Sequence, residues 1–157
     1  MTIFVTDIVQ LYDCRIALEP LSVAGACENA NSFQLQALEK CVLQAEQLIQ
    51  HQTSESNSFQ LLNLEYQFHY LIATSSGNKW LLPLLERIFD KMTLLWFQTT
   101  YYNSRVLVSW TEHRQIYEAI ARRDVRGATQ AIHCHLNGSK ARAIQELHYF
   151  QQHEQYD

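Results

Sequence analysis

Apolar residues recur at helical spacing along most of the chain, so the pattern predicts a succession of amphipathic helices. The first runs from about Asp7 to Glu28, with Ile8, Leu11, Tyr12, Arg15, Leu18, Glu19 and Ser22 near one stripe. Pro20 interrupts that stripe and predicts a kink or break near Glu19. After the polar Asn29–Ser32 break, with Ser32 as cap, a second helix runs to about Gln50 on Leu35, Leu38, Val42, Ala45 and Ile49. His51 to Ser58 reads as a polar loop. A third helix, about Phe59 to Ser75, stops at Ser76-Gly77-Asn78. A fourth runs from about Lys79 to Tyr102 with Pro83 in its first turn, and its many apolar residues, Trp80 and Leu84 among them, make it the expected central helix. Ser109-Trp110-Thr111-Glu112 has the form of a capping box opening a fifth helix to about Arg123. Asp124 caps the last, which runs to about Gln151.

The expected fold is all-α: a single antiparallel bundle of about six helices around a central cavity. Composition agrees. Only 4 Gly and 2 Pro are present in 157 residues, too few turn-formers for many short strands. A net charge of -4 offers no basic footprint for nucleic acid. The four cysteines, Cys14, Cys27, Cys41 and Cys134, show no C-x-x-C spacing and read as buried or semi-buried thiols of a reducing cytoplasm. There is no signal-peptide pattern, and no apolar run reaches the roughly 18 residues of a membrane span.

The chemistry concentrates on a few inward positions. Glu65 and His69 are four residues apart, one above the other on a helix face shared with Leu61, Phe68 and Ile72. A buried carboxylate beside a buried imidazole must be satisfied, either by its neighbour or by a charge between them. His113 shares a face with Ile116, Tyr117 and Ile120, and His135 with Ala128, Ala131, Ile132 and Ser139. His133 and Cys134 are excluded by geometry, because successive helical residues are about 100° apart. Glu65, His69, His113 and His135 therefore form the candidate metal site. Three imidazoles and one carboxylate suit Zn²⁺ first, then Ni²⁺, Mn²⁺, Co²⁺ or Fe²⁺, with open positions for a small carboxylate. The competing interpretation is a hydrogen-bonded Glu65–His69 pair with the other histidines in the core. Arg15 and Glu19 form either a surface ion pair or an anion contact at a pocket mouth. Lys91, Gln98 and Tyr102 are polar groups that could reach the cavity.

These landmarks also resemble a family. Arg15 with Glu19, Phe68-His69 with an acid four residues before the histidine, Ser76-Gly77-Asn78, Glu112-His113 with Ile116 and Ala119-Ile120, Asp124 with Ala128, and His135-Leu136 occur in the order seen in the FCD domain. That domain is the C-terminal effector-binding domain of FadR-type GntR-family transcription regulators. The resemblance covers about Asp7 to Ile144, and the whole 1–157 chain is expected to be one such domain. It implies an all-α bundle in which an acid and three histidines (Glu65, His69, His113 and His135 here) hold a divalent ion beneath a small organic acid. It also implies Arg15 as an effector contact, a homodimer, and DNA binding only through a winged helix-turn-helix. No such module precedes the first helix, which implies either a domain cut from a longer regulator or the loss of a DNA reader. The family pattern has Asp where this chain has Glu65, whose extra methylene either changes the ligation or makes a hydrogen bond instead. The reading is thus a non-enzymatic sensor. The alternatives are a metal-dependent hydrolase, with Tyr117 or Lys91 as acid–base partner, and a metal-free dimerisation module.

Overall fold

A computed structural model describes residues 4–51, 55–99 and 106–153. Among them are six helices and no strand: α1 (Val5–Asn29), α2 (Ser32–Gln50), α3 (Glu55–Ser75), α4 (Leu81–Thr99), α5 (Val106–Ala121) and α6 (Val125–His153). The fold is all-α, as the periodicity predicts. None of these helices is long and apolar enough to cross a membrane.

α1 does not break at Pro20. Proline there removes one backbone hydrogen bond, but Arg15, Glu19, Ser22 and Val23 are all buried around it, and packing of that face holds the helix together. α1 rather than α4 is central, since it packs against α3, α4, α5 and α6. α4 keeps Leu85, Phe89, Met92 and Leu95 inside and leaves Leu84 mostly exposed, as is Trp80 just before its first turn. α1 and α6 run antiparallel along their lengths. At one end Lys140 reaches Asp13 at 2.6 Å, and at the other the Arg123 guanidinium donates to the carbonyls of Cys27 (3.0 Å) and Ala30 (2.6 Å). Those carbonyls lie at the C-terminal end of α1, where backbone acceptors lack helical partners.

Local signals place most boundaries. Asn31 rather than Ser32 caps α2, exchanging hydrogen bonds with Gln34 in a capping box. Asp124 Oδ1 accepts from the Gly127 N–H at the start of α6. Ser109, however, is no cap: α5 begins three residues earlier, at Val106. Glu112 is engaged across the bundle instead. Cys27 and Cys41 are buried, whereas Cys14 and Cys134 are exposed; all four are free thiols.

The main core cluster draws on α1, α2, α3, α5 and α6, including Val23, Leu38, Phe68, Trp110, Ile120 and Ile132. At the far end of α3, Gly77 has φ +74°, the left-handed conformation that ends a helix at low cost in glycine. Asn29 Nδ2 donates to the Ser76 carbonyl at 3.0 Å. A Cβ at Gly25 would lie 2.5 Å from that same carbonyl oxygen, so α1 and the α3 terminus meet backbone to backbone.

Gly25→Ala should therefore destabilise the bundle by about 1–3 kcal/mol, the usual cost of overpacking, despite alanine's better helix propensity. Urea unfolding checks this. A lower midpoint at unchanged slope is expected, and a higher midpoint would mean that the contact yields freely.

Candidate metal centre

Three helices deliver the four residues. α3 presents Glu65 and His69 on adjacent turns, α5 presents His113 beneath Trp110, and α6 presents His135 between Ile132 and Leu136. All four are buried. Their donor atoms lie within 4.8 Å of one another. His113 Nε2 is 3.1 Å from Glu65 Oε2, and His69 Nε2 is 3.4 Å from Glu65 Oε1. The two imidazole nitrogens, His69 Nε2 and His113 Nε2, stand 3.3 Å apart. His135 Nε2 is 4.0 Å from Glu65 Oε1 and has no hydrogen-bond partner among the protein groups.

Each ring is backed on its other nitrogen. His69 Nδ1 faces Glu19 Oε2 at 2.5 Å, His135 Nδ1 faces Glu112 Oε2 at 3.0 Å, and His113 Nδ1 faces Ser109 Oγ at 3.4 Å. Glu112 is in turn held by Arg142, 2.9 Å away. A proton on each Nδ1 leaves three Nε2 lone pairs converging beside one carboxylate. Metal-binding histidines are characteristically oriented in this way. Donors about 2.1 Å from an ion stand about 3.4 Å apart in a tetrahedral arrangement, close to the short separations found here. By geometry and donor chemistry, the four residues fit a divalent transition metal.

Without an ion, the buried charges are offset by one another. Burial alone would raise the Glu65 carboxyl, yet His113 and His69 hold it well below the usual range. Burial opposes ionisation of Glu19 too, but Arg15 and then His69 bring it down to about 2. Burial lowers His69, and Glu19 more than reverses this, leaving it raised. His135 is pushed down to about 4 by burial and then by His113, so its ring is held neutral, the form that binds metal.

Beside Glu65 lies a cavity of about 70 Å³ whose lining includes Tyr12, Leu61, Trp96, Trp110, Ser139 and Arg142. The Trp110 indole N–H has no partner among the protein groups. Arg15 is fully buried, with its Nε 2.6 Å from Glu19 Oε1. Its two terminal amino groups are unpartnered, and the guanidinium lies 5.3–5.6 Å from the ring centres of Tyr12, Phe89 and Trp96. The Arg15–Glu19 pair is therefore interior rather than a surface pair. Lys91 is a correction: it is exposed, because Phe89, Met92 and Leu95 set the buried face of α4 and turn it outward. Gln98 falls in the last turn of α4, with its side chain outside the described set, and Tyr102 lies outside the described residues. Glu19 and Glu112 are the site residues that sequence reasoning passed over. Both had been assigned local partners, although Glu19 already stood on the buried stripe of α1.

The metal-free protein should lose stability on acidification. His135 has an ordinary value near 6.5 and a folded value of about 4, so its contribution is complete above pH 6.5 and disappears as pH falls toward 4. His69 adds no slope in that window. Its folded value is raised, so its contribution changes only above 6.5. Thermal unfolding in chelator should show a midpoint falling between pH 6.5 and 4, with a flatter profile in His135→Gln. Identical profiles for the two proteins would refute this.

The comparisons with known proteins come to the same fold. Residues 10–138 match the FCD domain family. The uncharacterized HTH-type transcriptional regulator YdhC of Bacillus subtilis is 28% identical over 131 residues, covering 83% of this chain and 57% of that protein. A solved GntR protein of Streptococcus agalactiae superposes with TM-score 0.72 at 26% identity, over 87% of this chain and 58% of that one. The metal-free FCD domain of TM0439 superposes with TM-score 0.75 at 22% identity, over 95% of this chain and 99% of that one. The chain thus spans a little under three fifths of YdhC and of the streptococcal protein, and these relatives are transcription regulators, not enzymes. On the match over residues 10–138, the chain belongs to the FCD domain family, the effector-binding domain of GntR-type transcription regulators.

Proposed function

We propose that this domain senses a small organic acid through a bound divalent metal. The observation that carries the reading is the convergence of three Nε2 atoms on the Glu65 carboxylate, with His135 Nε2 left without a protein partner. Glu65, His69, His113 and His135 would hold the ion, Zn²⁺ first among Ni²⁺, Mn²⁺, Co²⁺ and Fe²⁺. When bound, the metal supplies positive charge and open coordination positions for an anion. Glu65 stands in as the acid of the set, since its carboxylate lies within 4.0 Å of all three Nε2 atoms.

The protein's own residues favour an acidic ligand. The terminal amino groups of Arg15 and the Trp110 N–H are buried donors that lack acceptors. Leaving such donors unmet is costly. The cavity is lined by Trp110, and by Tyr12 and Trp96, whose rings lie against the Arg15 guanidinium, so positive charge stands just behind its wall. Ligand binding would shift the balance among bundle arrangements and so reposition attached DNA-binding domains in a dimeric, cytoplasmic regulator. DNA reading belongs, in this proposal, to a winged-helix domain and not to residues 1–157.

Metal-free operation is the second reading. The likeness to the metal-free FCD domain of TM0439 supports it, because the same bundle forms there without an ion.

Elemental analysis of tag-free protein decides between them. About one equivalent of transition metal is expected in the parent and none in a folded His113→Ala/His135→Ala variant. Saturating Zn²⁺ at about 100 times its Kd should stabilise the parent by about 2.7 kcal/mol. No metal after loading with Zn²⁺, Ni²⁺ or Mn²⁺ would favour the metal-free reading. The 157-residue chain is also expected to give no sequence-specific gel shift; a tight, specific shift would contradict the division of labour.

A further inference from the structure

Glu19 sits at a junction that the ligand set does not explain. It comes from α1, which contributes no metal ligand, and is 3% exposed. One oxygen, Oε1, lies 2.6 Å from Arg15 Nε, and the other, Oε2, lies 2.5 Å from His69 Nδ1. Both neighbours are themselves buried, so neither contact is exchangeable with water. His69 Nε2, on the far side of the ring, has looser approaches, 3.3 Å to His113 Nε2 and 3.4 Å to Glu65 Oε1.

We infer that Glu19 is a positioning residue: its two oxygens fix the His69 tautomer that offers Nε2 to a metal, and the orientation of Arg15 that leaves its amino groups for an anion. The inference rests on the metal-anchored reading above and adds a residue to it. Arg15 Nε–H can only donate, so the oxygen facing it must accept. A carboxylate has a second acceptor for a proton on His69 Nδ1. The shorter contact, 2.5 Å against 3.4 Å, favours that proton at Nδ1 rather than Nε2.

Glutamine cannot do both. Its single oxygen, if it accepts from Arg15, turns an amide NH₂ toward His69, which must then accept at Nδ1 and carry its proton on Nε2. The metal-facing lone pair is lost in a side chain of the same size. Aspartate keeps both acceptors at shorter reach. Glu19→Gln is therefore the damaging variant and Glu19→Asp the partial rescue, an order that loss of packing alone would reverse.

The test uses the chelated 157-residue chain with ¹⁵N-histidine, across a pH series that reaches the neutral ring. Long-range ¹H–¹⁵N correlation spectra report which nitrogen holds the proton. The parent should show His69 protonated at Nδ1, folded Glu19→Gln at Nε2, and Glu19→Asp as the parent. Zn²⁺ competition titration should give about 10–100-fold weaker binding in Glu19→Gln, the usual effect of removing an outer partner, with Glu19→Asp closer to the parent. A parent with its proton on Nε2 overturns the inference even if Glu19→Gln fails to fold. Unchanged Zn²⁺ affinity in folded Glu19→Gln also overturns it. A parent that binds no Zn²⁺ but shows the Nδ1 proton and its switch in Glu19→Gln overturns the metal reading while supporting the positioning role.

Discussion

A carboxylate enclosed by three imidazoles, away from water, is the constraint on which the interior of this bundle depends. Charge and polarity there must be balanced locally, since solvent cannot do it. The balance is organised in two layers. Nε2 atoms and the Glu65 carboxylate face inward, while Glu19, Glu112 and Ser109 stand behind the rings. Helices α1 and α6 then carry a second task beyond packing, because α1 supplies Glu19 and Arg15, and Arg142 on α6 secures Glu112.

The helical class and the four clustered residues were legible because both follow from spacing on one element. Glu65 and His69 are four apart, and His113 and His135 each sit on an apolar stripe, so inward direction could be read without knowing the neighbours. What spacing hid were partners from other helices. Ser109 and Glu112 match a capping box in sequence, and only the packing of α5 on α6 reveals that Glu112 meets His135. Lys91 was misread because a helix rich in apolar residues does not declare which of its faces is buried. The same ambiguity promoted α4 to the centre, although Trp80 and Leu84 lie largely outside. Pro20 failed to break α1 because tertiary burial of the surrounding turns outweighs a single missing hydrogen bond.

Arg15 differs from an ordinary buried cation. A structural arginine usually spends its whole donor fork on protein acceptors. Here one nitrogen is spent on Glu19, three aromatic rings surround the guanidinium, and the remaining donors have no protein acceptor. Aromatic faces offset part of the charge without satisfying those donors directionally. That combination keeps the side chain in a fixed place with donors to spare.

The sequence distances within this centre have a kinetic consequence. His69 meets Glu19 across 50 positions and His113 across 44, and the α1–α6 contact between Asp13 and Lys140 spans 127. Closing loops of that size precedes any reward from the contacts they bring together. Joining the four residues thus depends on contacts between helices far apart in sequence, α3 with α5 and α6, and not on any one local segment. An ion arriving early would meet only Glu65 and His69 on one helix, too few donors to hold it firmly. Under the metal-anchored reading, capture of the ion would report a folded bundle rather than set folding going.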